Sequence, residues 1–519
     1  MDISIRPLDA ITVGLYLAGM LGIGAYCARR GSSAETYFVG QRNFPGWVVA
    51  LSMLGTIVSS TTFLALPAAA YVLDWRQLTV NLVVPFVAIV AVIFFIPFFR
   101  RAGLTSAFEY LGDRFGQPAR LYGAIGFIFL QLIRVAQVLF LVSLPLQFLT
   151  GAPIGWVIAG GALFVALYTI AGGMEAVVWA GVVQALIMLV GGILCLGFVV
   201  GQLPGGLAQI IEVGQEHRKF SLGSMDWDPH QRTFWTVAIL GLVNWLNIYS
   251  GEQTLVQRYV SSKSLWEARK ATLMFSGIAV PMWTMFFFIG TSLFVFFQVL
   301  PDARVGQLQP DQVLPYFVLT HVPAGLAGLV IAAVIAAAMS SLDSGVNSIS
   351  TVVVIDLLKP HLAPGRSDAF YLKAARWVAG AAIIAMAFGA FSFSQMKKES
   401  MNDVSLIVFS VLGGAITGLY MLGFFTRRVD GRSANIALVI AIAFNIYLGL
   451  GLLGLLPTGW KIGLHSYWVG ALVNLLFVVL AYGISLLRRV PPQPLVGLTV
   501  WTMNPAKSPD SQPATGAMR

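Results

Sequence analysis

Three runs of polar residues interrupt otherwise apolar stretches of this 519-residue chain, and a single arginine interrupts a fourth. The first run is Gly55-Thr56-Ile57-Val58-Ser59-Ser60-Thr61-Thr62-Phe63, with Pro67 following. Four consecutive hydroxyl residues after a glycine make a poor straight helix, and unwinding there frees backbone carbonyls to bind a cation. An intact, kinked helix is the other reading, because Ser and Thr also bond the carbonyl four residues back. The second run, Asn244-Trp245-Leu246-Asn247-Ile248-Tyr249-Ser250-Gly251, gathers amides, aromatic rings and a glycine. Such groups either contact a polar solute or tie neighbouring helices together. In the third, Ala337 to Ser348, the residues Ser340, Ser344, Asn347 and Thr351 fall on one helical face with Asp343 beside it. Hydroxyl and carboxylate oxygens suit a hard cation. Ser340, Ser341, Asp343 and Ser344 are therefore candidate ligands for such a cation, with Asp343 and Ser344 also open as a second cation or proton site.

The lone arginine is Arg134, in Gln131-Leu132-Ile133-Arg134-Val135-Ala136-Gln137. A charge at the centre of a membrane helix costs at least ~2.5–3.5 kcal/mol, so such a residue needs a partner or a task. It lies about fifteen residues from either end of its stretch, too far for the side chain to reach water along the helix. Two roles stay open: an ion pair with Asp343, or a guanidinium fork for a solute carboxylate. Enzyme signatures are missing. The sequence has no glycine-rich phosphate loop, no HExxH and no convincing Ser/His/Asp set, and none of its five histidines is mid-stretch.

These residues have to be held by helices in a bilayer. Hydrophobic residues make up 57% of the chain and charged ones 10%, against about 25% charged in ordinary globular proteins. Apolar stretches of the roughly 20 residues needed to cross a membrane recur from end to end. The pattern predicts an all-α polytopic membrane protein of about thirteen spans. They lie near 8–28, 44–72, 78–100, 119–149, 153–172, 176–203, 231–251, 271–299, 322–357, 374–394, 404–426, 433–456 and 466–487. The net charge of +10 does not point to nucleic acid, because the basic residues sit in the short connections between spans. Of 32 Lys and Arg residues, 22 fall on the face that follows odd-numbered spans and 9 on the other. That bias predicts an outside N-terminus and a cytoplasmic C-terminus. Lys397 and Lys398 run against it. Cys27 and Cys195 both fall in apolar spans, which argues against a disulfide framework. From Val490 the chain is Pro-rich and aperiodic, as in a disordered tail. Spans 2 and 7 stand five apart, and each is interrupted, the pattern of inverted-repeat transporters.

The chain resembles the sodium/solute symporter family, with the sialic acid symporter branch nearest in site residues. The landmarks are Tyr168 to Val177 around Gly172-Gly173, Gln257-Arg258-Tyr259 followed by Lys263-Ser264, Ser340-Ser341 with Asn347-Ser348, and Leu422-Gly423-Phe424-Phe425. The resemblance covers about residues 8 to 490. It implies a leucine-transporter-like fold: two inverted five-helix repeats, about 44–203 and 231–427, inside a core of 44–427. Residues 1–43 and 428–489 would then be peripheral helices and 490–519 a tail. It also implies sodium-coupled symport of a small polar, carboxylate-bearing solute by a monomer in a bacterial inner membrane. Sodium ligands carry over to Gly55, Val58, Ala337, Ser340 and Ser341. Solute contacts carry over to Ser59, Ser60, Thr62, Asn81 and Arg134, with Trp245 and Asn247 opposite. Many members hold a second sodium on an acidic residue where this chain has Gly181, whereas Asp343 stands where the sialic acid branch has serine. Other readings are a carrier for another sugar, amino acid or monocarboxylate, a proton-coupled carrier using Asp343, and a membrane sensor. Too short a tail for an output domain argues against the last.

Overall fold

The computed structural model describes residues 6–28, 33–40, 42–396, 414–457, 459, 462–492 and 495–503. Arg29, Arg30, Lys397, Lys398, the first part of the predicted span 404–426 and everything beyond 503 lie outside them. Nine helices among the described residues are long and apolar enough to cross a bilayer. They are α1 (Pro7–Ala28), α4 (Arg76–Arg100), α5 (Gln117–Gln147), α7 (Gly172–Gln202), α10 (Leu265–Val299), α11 (Leu326–Leu362), α12 (Asp368–Gln395), α14 (Gly431–Leu452) and α15 (Ser466–Leu487). A tenth span is a bent pair, α2 (Gly46–Ile57) and α3 (Thr61–Val72), whose axes meet at 65°. Shorter helices fill the other predicted positions: α6 (Ile154–Ile170), α8 (Phe234–Gly251) with α9 (Gln253–Val260), and α13 (Ile416–Phe425). The molecule is a multi-pass membrane protein.

Burial separates centre from rim. In α11, 89% of the most apolar window is buried, against 22% in α1 and 28% in α15. The sequence of α11 explains this, since Ala327, Gly328, Ala332, Ala333, Ala336, Ala337 and Ala338 leave little side chain and let neighbours close in on every side. The Ile154–Gln202 pair and α5 pack directly against it. The break between α6 and α7 falls at Gly173, where φ is 55°. A Cβ there would also stand 2.9 Å from the carbonyl oxygen of Tyr37, so both conformation and space demand glycine.

Two buried charges fix helix ends. The Asp9 carboxylate, on the first turn of α1, accepts N–H groups from Gly325 (2.7 Å) and Gly328 (2.8 Å) at the start of α11. It thereby satisfies donors that the helix itself cannot, and its charge suits the positive end of the dipole. At the far end of α3 the Lys219 ammonium donates to the carbonyls of Tyr71 (2.7 Å) and Leu73 (3.0 Å). It also lies 3.9 Å from the Phe294 ring centre. The second half of the broken span is thus capped from a distant loop.

Two expectations need correction. The second polar run ends its apolar stretch at Gly251, but the helical path continues through α9 to Val260, so the interruption is one residue, Glu252 (φ −78°, ψ 115°). The tail is not structureless from Val490. Residues 495–503 fold back on the core, where the Val500 N–H donates to Phe424 O at 3.0 Å and the Tyr110 hydroxyl to Leu498 O at 3.1 Å. Trp501 Nε1 adds a bond to Phe425 O at 3.0 Å. Apolar Leu498, Val500 and Met503, partly buried against the core, supply the driving force that the Pro-rich composition conceals.

Candidate functional site

The first polar run does unwind. After Ile57 the chain leaves the helix at Val58 (φ −80°, ψ 108°) and resumes at Thr61, leaving the carbonyls at the end of α2 without partners further along their own helix. Hydroxyls of α11 fill the gap. Ser340 Oγ lies 2.6 Å from Gly55 O and 3.1 Å from Ala337 O, and Ser341 Oγ donates to Thr56 O at 3.1 Å. Val58 is wholly buried beside them. Three of the five predicted ligands, Gly55, Ala337 and Ser340, therefore converge on one point. Ser341 reaches the same helix end through Thr56, a residue the sequence does not single out. The donors are uncharged oxygens from two helices, a set that fits a dehydrated monovalent cation and offers nothing to a soft metal.

This convergence depends on two glycines. A Cβ at Gly55 would lie 2.7 Å from the Gly181 carbonyl oxygen, and one at Gly181 would lie 3.1 Å from Ser52 Oγ and 3.3 Å from Ser52 Cα. Here α2 and α7 cross backbone to backbone. A side chain at 181 would crowd Ser52 and need α2 to give by a few tenths of an ångström, so the position where the resemblance implies an acidic residue is tightly packed here. Gly55→Ala is expected to force the helices apart at an overpacking cost of about 1–3 kcal/mol. Thermal unfolding in detergent should fall by several degrees, and half-maximal sodium activation of uptake should rise several-fold. An unchanged sodium response would mean that the crossing does not set the carbonyl positions.

Behind the hydroxyl pair lies a buried charged network. Asp343 Oδ2 accepts from the Tyr168 hydroxyl at 3.0 Å, and Asp343 Oδ1 lies 3.1 Å from Ser344 Oγ. Ser344 Oγ in turn meets Arg258 Nη2 at 2.6 Å and Thr56 Oγ1 at 3.0 Å. Arg258 is 1% exposed and also donates to Ser52 Oγ (3.2 Å) and Thr254 O (2.7 Å). Asp343 and Ser344, read from sequence as a second cation or proton site, thus already face a guanidinium. Arg258 and Tyr168 are partners that sequence reasoning noted only as family landmarks.

Arg134 does not make the expected ion pair with Asp343. It faces a cavity of about 410 Å³ bounded by α5, α8, α13 and α15, together with Gln131, Asn244, Asn247 and Thr417. Its Nη1 pairs with Glu252 Oε1 at 2.8 Å, not with Asp343. The reason is local: Glu252 is the single joint residue between α8 and α9, and its side chain enters the same cavity. Sequence reasoning missed Glu252 because a charged residue directly after Gly251 resembles the end of a span.

Of the other predicted solute contacts, only Asn247 lines the cavity. On α8 the cavity face is Asn244, Asn247, Ile248 and Gly251, an i, i+3, i+4, i+7 stripe. Trp245 falls off that stripe and packs against Tyr249, Phe275 and Trp283, so its placement opposite Arg134 is corrected. Ser59, Ser60 and Thr62 are buried at the helix break, and Ser60 Oγ is 3.5 Å from Val138 O. They border the cation site and do not line the cavity. Asn81 is half-buried on α4, where its neighbour Val80 forms the cavity wall.

Comparison with known proteins gives the family and the fold. The profile of the sodium:solute symporter family matches residues 37–441. The sodium/sialic acid symporter SiaT of Proteus mirabilis is 32% identical over 428 residues, covering 82% of this chain and 86% of its own length. The sodium/sialic acid symporter NanT of Aliivibrio fischeri is 30% identical, with 92% and 93% covered. A solved structure of a substrate-bound, outward-open Na+-coupled sialic acid symporter, described as revealing a novel Na+ site, superposes with a TM-score of 0.84 at 29% identity. It covers 93% of this chain and 98% of that one. The fold is that of the leucine-transporter-like symporters.

Proposed function

We propose that this chain, which belongs to the sodium:solute symporter family, carries a sialic acid-like carboxylate solute into the cell with sodium. Sodium-coupled symport is the family's activity; solute and ion cross chemically unchanged, and no enzymatic step is involved. The observation that carries the choice of solute is Arg134, a guanidinium facing a largely apolar cavity into which Gln131, Asn244, Asn247 and Thr417 also point polar groups. Its planar fork matches a carboxylate in a way that a lysine ammonium does not. The sialic acid transport named for SiaT and NanT supports the same choice.

Coupling follows from where the sodium ligands sit. Gly55 and Thr56 belong to α2, and Ala337, Ser340 and Ser341 to α11, so a bound ion bridges the two helices. It favours the state in which they are closed together, and its release lets them part. An ion shifts such an equilibrium only through its differential affinity for the two states, which this two-helix ligand set supplies. The buried Arg258 beside Asp343 and Ser344 supports sodium rather than proton coupling, since the network already contains a fixed positive charge. We place the N-terminus outside and the C-terminus in the cytoplasm of a bacterial inner membrane, with the monomer as the working unit.

Gly181 supports one sodium per cycle. One sodium with one monovalent carboxylate moves no net charge, so the membrane potential, worth roughly 2.3 kcal/mol per charge per 100 mV, contributes nothing to accumulation. The test is uptake of radiolabelled N-acetylneuraminate into proteoliposomes under a sodium gradient, with and without an inside-negative potential. Sodium-dependent uptake with a Hill coefficient near one and no response to potential is expected. Uptake driven by potential with a coefficient near two would show a second sodium. No uptake of the acid, with sodium-driven uptake of a neutral sugar, would overturn the choice of solute.

A further inference from the structure

The Arg134 that is to receive the solute already holds a carboxylate. Glu252 Oε1 lies 2.8 Å from Arg134 Nη1, and the pair is in the cavity wall, with the side chains 12% and 27% exposed. This is not a sealed structural pair. Only Nη1 is engaged, and among the described residues Arg134 makes no other hydrogen bond, so the rest of the fork faces the cavity. Glu252 also has a second partner. The same Oε1 accepts from the Thr254 hydroxyl at 2.6 Å, on the first turn of α9, where the helix's free N–H groups favour negative charge. The carboxylate therefore has somewhere to stay if Arg134 turns to another ligand. Finally, Glu252 is itself the non-helical joint between α8 and α9 (φ −78°, ψ 115°).

The geometry points to Glu252 as a resident carboxylate that occupies Arg134 while the cavity is empty and is displaced onto Thr254 by the carboxylate of the incoming solute. It is a specificity- and affinity-setting residue for the proposed transport, and it rests on the reading of Arg134 given above. An anion then binds only as tightly as the free fraction of Arg134 allows, because apparent affinity falls in proportion to the competent population. The exchange is selective. A solute without a carboxylate has nothing to offer in return for the Arg134–Glu252 bond, so the cavity discriminates against neutral sugars of the same shape.

The test compares purified wild type, Glu252→Gln, Arg134→Ala and the Arg134→Ala/Glu252→Gln double variant by calorimetry at saturating sodium. The titrants are N-acetylneuraminate and its neutral methyl ester. Glu252→Gln keeps size and hydrogen bonding but removes the competing charge. It should tighten binding of the acid by roughly ten-fold and leave the ester unchanged. In the Arg134→Ala background the same substitution should give the acid at most a small gain. Thr254→Val, which removes the resting place of Glu252, should weaken the acid several-fold. It tests the idea independently if Glu252→Gln does not fold. Unchanged or weaker binding of the acid to Glu252→Gln, with Arg134→Ala still losing it, would overturn the displacement idea alone. Wild-type affinity in Arg134→Ala would instead overturn the carboxylate reading beneath it.

Discussion

Arg134→Ala is expected to reduce affinity for N-acetylneuraminate by roughly 30-fold or more and to abolish its sodium-driven uptake at micromolar concentrations. Truncating one member of a hydrogen-bonded charge pair away from bulk water costs about 2–5 kcal/mol, and each ~1.4 kcal/mol is ten-fold in binding. Part of that loss in the single variant comes from Glu252, left without its 2.8 Å partner in the cavity wall. The Arg134→Ala/Glu252→Gln double variant removes this contribution, and it should still bind the acid poorly because the fork is gone. Arg134→Lys should fall between, keeping the charge but losing the planar pair of donors. Sodium binding, which uses α2 and α11, should survive in all three. Sodium-induced thermal stabilisation without solute checks this. Near-normal uptake by the double variant would remove Arg134 from the binding site.

Ser340→Ala should raise the sodium concentration for half-maximal uptake by about ten-fold or more, with Ser341→Ala weaker and the double variant inactive. Ser340 Oγ sits between the carbonyls of Gly55 (2.6 Å) and Ala337 (3.1 Å), whereas among the described residues Ser341 Oγ hydrogen-bonds Thr56 O alone (3.1 Å). Hydrogen-bond-like contacts to a charged group are worth about 1.5–3 kcal/mol, which is ten-fold and upward in affinity. Without sodium the variants should unfold within a few degrees of wild type, since alanine is a good helix former and leaves α11 intact. Loss of sodium-induced stabilisation alongside that result separates a ligand from a packing residue. Two variants with wild-type sodium activation would displace the ion from this pair of helices.

The candidate cation site was the most legible part of the sequence. Hydroxyl runs after Gly55 and at Ser340-Ser341 break the rules for apolar spans, and those rules are strict because no water is present to satisfy the backbone. The family of helices was legible for the same reason. What escaped was whatever depends on helical phase or on distant chain. Trp245 and Asn247 are two residues apart and look equivalent in sequence, yet a 100° step per residue sends one into the α10 aromatic cluster and the other into the cavity. Glu252 read as a boundary, because nothing local reveals that α9 continues the span. Arg134 and Asp343 were the obvious opposite charges in the spans, but pairing is decided by which helices face each other, and Arg258 and Glu252 come from a segment read as loop.

The crossing of Gly55 and Gly181 also constrains how this chain could have descended. If an ancestor carried aspartate at 181 and serine at 343, as the resemblance implies for its relatives, the present state differs by two coupled replacements. Aspartate at 181 alone would crowd Ser52 and place a second carboxylate near a network built around Asp343. Serine at 343 alone would leave the fully buried Arg258 without its neighbouring charge. Both positions border Arg258, 343 through Ser344 and 181 through Ser52, so a replacement at one changes what the other can tolerate.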